Sequence, residues 1–282
     1  MNIAIIGAGV RGTGIAQVAA LHGHNVAVYD LNAELLQRAK LRIAQSLDRR
    51  VAAGSVPQAE AERVKNAIGA TTALEQFAEA DFLIEAAPET LEVKQALFER
   101  LDRFSPRTSV LASTTTTFPI SVMAAAAKRH PERVIGMAFQ QPIPTHSLVE
   151  VVTADQTASD TAERALYLLR NLGKTPVTTK DTPGRITTRL STVYTGEALR
   201  LLGEGHVSPE TVDTLMTSLG VQEGPFRIID AQGVDEHLTV TQALYDAYYQ
   251  EARYRPHPIQ QKMVQSNHLG RKTRRGFYSY DA

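Results

Sequence analysis

Two patterns alternate through the first two thirds of the chain. Short apolar runs recur at Met1 to Ile6, Asn25 to Tyr29, Asp81 to Glu85, Ser109 to Ala112, Arg133 to Met137, Leu148 to Val152 and Thr175 to Thr179. Each has the length and composition of a buried strand. Between them lie longer stretches whose apolar residues recur every three or four positions, which predicts helices. These are Ala33 to Ala53 and Gln58 to Ala67, broken at Gly54-Ser-Val-Pro57, then Leu91 to Phe104 and Asp160 to Leu172. Strand and helix in alternation predict an α/β architecture, a doubly wound, mainly parallel sheet with helices on both faces. Beyond Asp181-Thr-Pro-Gly184 the strand pattern stops, and Arg185 to Leu202, Pro209 to Ser218 and Val234 to Arg253 read as helices. The sequence therefore predicts two domains, 1–182 and an all-α domain over 183–282, with no internal repeat and no low-complexity segment.

The first strand runs into Gly7-Ala-Gly-Val-Arg-Gly12, a G-x-G-x-x-G that opens a helix. Gly7 permits a tight turn, Gly9 lets backbone approach a pyrophosphate, and Gly12 lets the helix pack close to the strand. Ala8, Val10 and Arg11 complete the loop, whose amides point at the phosphates. Arg11 either adds a phosphate contact or only covers the helix N-terminus. The second run ends in Asp30, about 20 residues on, where a carboxylate bonds the adenosine ribose and repels a 2′-phosphate. The expected cofactor is NAD rather than NADP, and the expected class is an oxidoreductase.

Composition narrows the partners. The chain has 282 residues, with Lys and Arg numbering 30 against 30 Asp and Glu, so net charge predicts no nucleic-acid face. The absence of cysteine excludes disulfides, thiolate catalysis and Cys-ligated metal. The histidines show no H-x-x-x-H spacing, so no metal is expected. No run approaches a membrane span and the N-terminus does not read as a signal peptide, which predicts a cytoplasmic protein acting on a small molecule.

Further landmarks follow in order: Glu85-Ala-Ala-Pro-Glu-Thr-Leu-Glu-Val-Lys94, Pro142-Ile-Pro-Thr-His-Ser-Leu-Val-Glu-Val-Val152, Asp181-Thr-Pro-Gly184, Gly224-Pro-Phe226 with Asp230 and Asp235, and Leu269-Gly-Arg-Lys-Thr-Arg-Arg-Gly-Phe-Tyr278. With the glycine turn, they make the whole chain resemble the short monofunctional L-3-hydroxyacyl-CoA dehydrogenases. The resemblance implies a Rossmann domain, a helical domain that supplies a homodimer interface, and a substrate cleft between the two. It also implies hydride transfer between a 3-hydroxyl carbon and nicotinamide C4, with a His-Glu pair handling the hydroxyl proton. By position, Glu89, Lys94, Gln141 and, from the C-terminal domain, Lys272 are implied on the nicotinamide side. Thr116 and Thr188 are implied to face substrate.

The proton-handling half departs from the family. Where the family reads G-x-H-F-F-N-P, this chain has Gly136-Met-Ala-Phe-Gln-Gln-Pro142, which keeps Glu150 but puts Ala138 in the histidine's place. Gln141 and Thr188 stand where the family has asparagines, and Thr116 where a serine is expected. Alanine moves no protons. Either His146 or an unassisted Glu150 takes the role, or the substrate does not need it, as with an iminium ion that becomes a neutral amine on receiving hydride. A third reading is an NAD-binding pseudoenzyme. His257, in Arg255-Pro-His-Pro258, reads as structural or exposed. The family's CoA-phosphate lysine is also missing, since Gly54 is followed by Ser55 and the nearby cations are Arg49 and Arg50. An acyl-CoA, a carrier-bound acyl chain or a free ketone or imine all remain open as substrate.

Overall fold

Strand β1, Asn2–Ile6, lies between β2, Asn25–Tyr29, and β4, Phe82–Glu85, and is parallel to both. Its apolar side chains bury on both faces of the sheet, which is why the sequence shows a run and no alternation. In this computed structural model, which describes residues 1–280, the chain divides into two units at Thr182 and Pro183. The first unit holds one sheet of eight strands. The others are β3, Gly69–Thr71, β5, Val110–Ser113, β6, Val134–Phe139, β7, Leu148–Thr153, and β8, Thr175–Lys180, in the order β3-β2-β1-β4-β5-β6-β7-β8. All neighbours are parallel except β6 and β7. Strand order reverses direction between β1 and β4. In sheets of this kind ligands bind there, at the carboxyl ends of the strands.

Helices cover both faces. On one face α1, Val10–Leu21, α2, Ala33–Ala52, α3, Gln58–Ala67, and α6, Ser159–Asn171, share a core with Ile3, Ile5, Val149 and Val151. Leu36, Ala39, Ile43 and Leu47 form the single buried stripe of α2, which leaves its other sides to charged residues. On the opposite face α4, Leu91–Phe104, and α5, Ile120–Ala126, pack Phe98, Leu101, Ile120 and Met123 onto Ala4, Ile6 and Leu83. The carboxylate of Asp181 receives the backbone amides of Ile120 at 2.7 Å and Ser121 at 2.8 Å, which caps α5 from sixty residues away.

The second unit is helical: α7, Thr187–Gly203, α8, Pro209–Ser218, α9, Pro225–Gln232, α10, Val234–Ala247, and α11, Pro258–Gln265. Leu199, Phe226, Ile229 and Val234 form its apolar centre. The Asp213 carboxylate accepts the amides of Phe226 and Arg227, the first turn of α9. His237 is buried between Thr195 Oγ1, 2.8 Å from Nε2, and Gln260 Nε2, 2.7 Å from Nδ1. Helix α10 ends six residues before the predicted Arg253, because Tyr249 and Gln250 turn to positive φ. Among the described residues no helix is long and apolar enough to cross a membrane, and no group of three His, Asp or Glu side chains could hold a metal.

Candidate functional site

The glycine turn is built by collisions that only glycine avoids. Gly7 has φ +118, and a Cβ there would lie 2.4 Å from the Ala86 carbonyl oxygen. At Gly12 a Cβ would lie 1.9 Å from the Gly7 carbonyl oxygen, so α1 sits against the turn as closely as backbones allow. Gly9 differs: its Cβ would meet nothing within 4 Å. The space over Gly9 is open, and the first bond of α1, from Thr13 N to Gly9 O at 3.0 Å, leaves the amides of Val10, Arg11 and Gly12 without helical acceptors. Open space plus unspent amides at a helix N-terminus fits a pyrophosphate.

Asp30 follows β2 and is locked to the same turn. Its Oδ2 accepts the Ala8 amide at 2.9 Å and its Oδ1 the Asn32 amide at 3.1 Å, which fixes the carboxylate where the fingerprint needs it. Arg42 of α2 donates to the Ala8 carbonyl at 3.2 Å and straps the turn from the other side. Sequence reasoning missed Arg42, because nothing local marks which cation on a polar helix face reaches another loop. Val10 is exposed, and Ala8 is buried.

Beside this turn, at the carboxyl ends of β4 and β5, lies a buried charge cluster. Lys94 of α4 is wholly buried, its Nζ 2.6 Å from Glu85 Oε1 and 3.2 Å from Glu89 Oε2. Glu85, also wholly buried, accepts the Ala87 amide at 2.7 Å and the Ser113 hydroxyl at 2.6 Å. The Thr115 hydroxyl and the Thr117 amide both donate to Glu89 Oε1. Burial pushes the Glu89 carboxyl up, but the charge of Lys94, the Thr115 hydroxyl and the charge of Arg11 outweigh it and hold it below the usual carboxylate range. Arg11 Nε is itself buried without a hydrogen-bond partner. The sequence marked Glu89 and Lys94 but not Glu85, although an acid closing a wholly apolar strand at the carboxyl edge is a readable signal. Thr116 follows, half-buried, on the loop after β5.

Ala138 and Glu150 are direct cross-strand partners in the β6–β7 ladder, and both are buried. Opposed residues in such a pair hold their Cβ atoms about 4.5–5.5 Å apart. They share a sheet face with Gly136, which lies under Ile120 of α5. Gln141 and His146 are exposed on the connection between β6 and β7. His146 lines the same cavity as His22, which follows the end of α1 opposite the glycine turn. In the second unit Thr188 is half-buried in the first turn of α7, and the exposed Lys272 pairs with Asp235 at 2.6 Å. His257 caps α11 by accepting the Ile259 amide on Nδ1.

The family model for the 3-hydroxyacyl-CoA dehydrogenase NAD-binding domain matches residues 2–182, and that for the family's C-terminal domain matches residues 184–280. The chain is 38% identical over 282 residues to a probable 3-hydroxybutyryl-CoA dehydrogenase of Deinococcus radiodurans, covering 99% of this chain and 100% of that one. It is 40% identical to the 3-hydroxyadipyl-CoA dehydrogenase of Escherichia coli, covering all of this chain and 59% of that protein, so it spans about three fifths of that relative's length. The crystal structure of FadB2 from M. tuberculosis superposes with a TM-score of 0.94 at 34% identity, covering 99% of this chain and 98% of that one. The cofactor these matches give to the first unit is NAD, in agreement with the open space over Gly9 and the position of Asp30.

Proposed function

The chain belongs to the 3-hydroxyacyl-CoA dehydrogenase family, and on that premise we propose that it is an NAD(H)-dependent oxidoreductase interconverting a 3-hydroxyacyl and a 3-ketoacyl thioester, with Glu150 handling the proton. The observation that carries this reading is the buried Glu150 opposite Ala138, in a unit whose glycine turn fits NAD. NAD supplies the hydride acceptor and donor at nicotinamide C4. The amides of Val10, Arg11 and Gly12 and the charge of Arg11 would hold the pyrophosphate, and Asp30 would hold the adenosine ribose. Lys94, spent on Glu85 and Glu89, positions the loop that carries Glu89 beside the turn. During oxidation the Glu150 carboxylate takes the substrate hydroxyl proton as hydride leaves the same carbon. In reduction the proton returns to the new alkoxide. Thr116, Gln141, Thr188 and Lys272 are assigned to substrate and nicotinamide by their matched positions, and His146 is the alternative proton carrier.

A second reading, reduction of an imine, is favoured by Ala138 alone. A carboxylate without an imidazole across the strand suits a cation that needs no proton donor. Following NADH oxidation with acetoacetyl-CoA against an equal concentration of a cyclic imine separates the two. Turnover of the thioester alone supports the first, turnover of the imine alone supports the second, and NADH binding without either leaves a pseudoenzyme.

We place the protein in the cytoplasm as a homodimer joined through the helical unit. On α7, Leu190 is 68% exposed and Val193 and Leu201 continue the same stripe, while Leu219 just beyond α8 is 78% exposed. An exposed apolar stripe on one helix supports association through it. Light scattering that returns only monomer at micromolar concentration would count against the dimer.

A further inference from the structure

The strand order reverses between β1 and β4, so a dinucleotide laid across that point divides over the two halves of the sheet. Asp30, just after β2, assigns the adenosine half to its own side. The nicotinamide half then falls over the carboxyl ends of β4 and β5, where the cluster of Glu85, Lys94 and Glu89 stands. The loop that follows β4 is packed on the glycine turn. Its Ala86 amide donates to the Ile6 carbonyl at 2.7 Å, and its Ala86 carbonyl is the oxygen that a Cβ on Gly7 would strike at 2.4 Å. The first turn of α1 and the loop bearing Glu89 therefore border the same stretch of the crevice.

The cluster and the first turn of α1 together hold two carboxylates, Glu85 and Glu89, and two cations, Lys94 and Arg11. Glu85 and Lys94 are wholly buried 2.6 Å apart, so their charges cancel at short range. Glu89 is only half-buried, and it is fixed in place by the Thr115 hydroxyl and the Thr117 amide. Its remaining counter-charge is Arg11. Lys94 reaches Glu89 through both charge and a hydrogen bond, whereas Arg11 acts on it through charge alone. Arg11 is half-buried, and its Nε is buried without a hydrogen-bond partner. Its effect on this stretch is therefore electrostatic. Without Arg11, one carboxylate charge there would go unbalanced.

We propose that Arg11 sets the preference of the site between the two redox forms of its cofactor, favouring NADH over NAD+. The nicotinamide ring is positively charged in NAD+ and neutral in NADH, because hydride brings its electron pair with it. An unbalanced carboxylate beside the ring would attract the oxidised form. Arg11 cancels that attraction and leaves the binding of the neutral ring unaltered. A contact between Arg11 and the pyrophosphate acts on both forms alike, since the phosphates carry the same charge in each. The ratio of the two affinities therefore isolates what Arg11 does to the ring. A site with this bias loads NADH from a mixed pool, which suits reduction of a ketoacyl substrate. The inference rests on the NAD(H) assignment made above.

The test is a pair of equilibrium titrations of the full chain without substrate: NADH by its fluorescence, and NAD+ by displacement of bound NADH. The wild-type protein is expected to bind NADH more tightly than NAD+. Arg11→Met removes the charge and keeps the apolar stem, and it should lower the ratio of the NAD+ to the NADH dissociation constant about five- to tenfold. Arg11→Lys keeps the charge and should hold that ratio within about twofold. Glu89→Gln removes the carboxylate and should move the ratio the other way. If Arg11→Met weakens both forms by one common factor, or changes neither, the proposal is overturned while the cofactor assignment stands. If the wild-type protein binds neither form, the cofactor assignment falls and the proposal falls with it.

Discussion

Replacing Gly9 by alanine separates a glycine kept for a ligand from glycines kept for the fold. At Gly9 the backbone has φ −70 and ψ −174, which any residue adopts, and the added methyl meets no protein atom within 4 Å. Stability should change by no more than about 0.5 kcal/mol, with a small gain from the less flexible unfolded chain. The methyl instead fills the space over the amides of α1. Displacing a pyrophosphate there loses one charge-assisted hydrogen bond or more, about 1.5–3 kcal/mol, or roughly 10–100-fold in NADH affinity. Gly12→Ala is the control, since its Cβ would lie 1.9 Å from the Gly7 carbonyl oxygen and 3.2 Å from Ile5 Cγ2. Backbone must move to make room, at a cost of about 3 kcal/mol or more. Urea unfolding followed by circular dichroism reads the stabilities, and NADH fluorescence titration reads the affinity. Wild-type NADH affinity in Gly9→Ala, or a stability loss matching that of Gly12→Ala, refutes the assignment of this space to the cofactor.

Other perturbations test the remaining parts. Lys94→Met strands the wholly buried Glu85 without its counter-charge and should cost about 3–5 kcal/mol. Adding Glu85→Gln should recover part of that loss, and a single variant as stable as the wild type would show that the cluster is not a coupled pair. Ala138→His puts an imidazole across the strand from Glu150 and should raise turnover of acetoacetyl-CoA by about 10²-fold. A folded variant with no gain would remove proton transfer as the limiting deficit. Burial lowers the pKa of His237 to about 4, so the unfolded chain takes up a proton first as pH falls. Stability should therefore be full above the unfolded value near 6.5 and should fall by about 3 kcal/mol between there and pH 4. His237→Gln should flatten that dependence in urea unfolding at pH 7 and pH 5. An unaltered slope would assign it to other groups.

What the sequence made legible was whatever local chemistry decides. Gly7, Gly9, Gly12 and Asp30 stand within one βαβ unit, so their spacing pointed to one turn, and the structure brings them together there. Helices α3 and α4 matched their expected bounds because proline, glycine and apolar period mark them. The omissions depend on distant partners. Strand β3 is a three-residue edge, Gly69–Thr71, held by pairing with β2 rather than by any pattern of its own. Helix α5 is short and is capped by Asp181, and α9 is capped by Asp213 from the preceding helix. The end of α10 is set by positive φ at Tyr249 and Gln250, neither of them a glycine. The reach of Arg42 to the Ala8 carbonyl is a tertiary fact, and no period or motif announces it.

The central claim is that Glu150, without a histidine opposite, carries the proton of the reaction. Its direct test is the steady-state kinetics of Glu150→Gln with NADH and acetoacetyl-CoA. Glutamine keeps the shape of the buried side chain but removes its basicity, so NADH affinity should hold while kcat falls by about 100-fold or more. Full activity in Glu150→Gln would contradict the account and move the proton to another group.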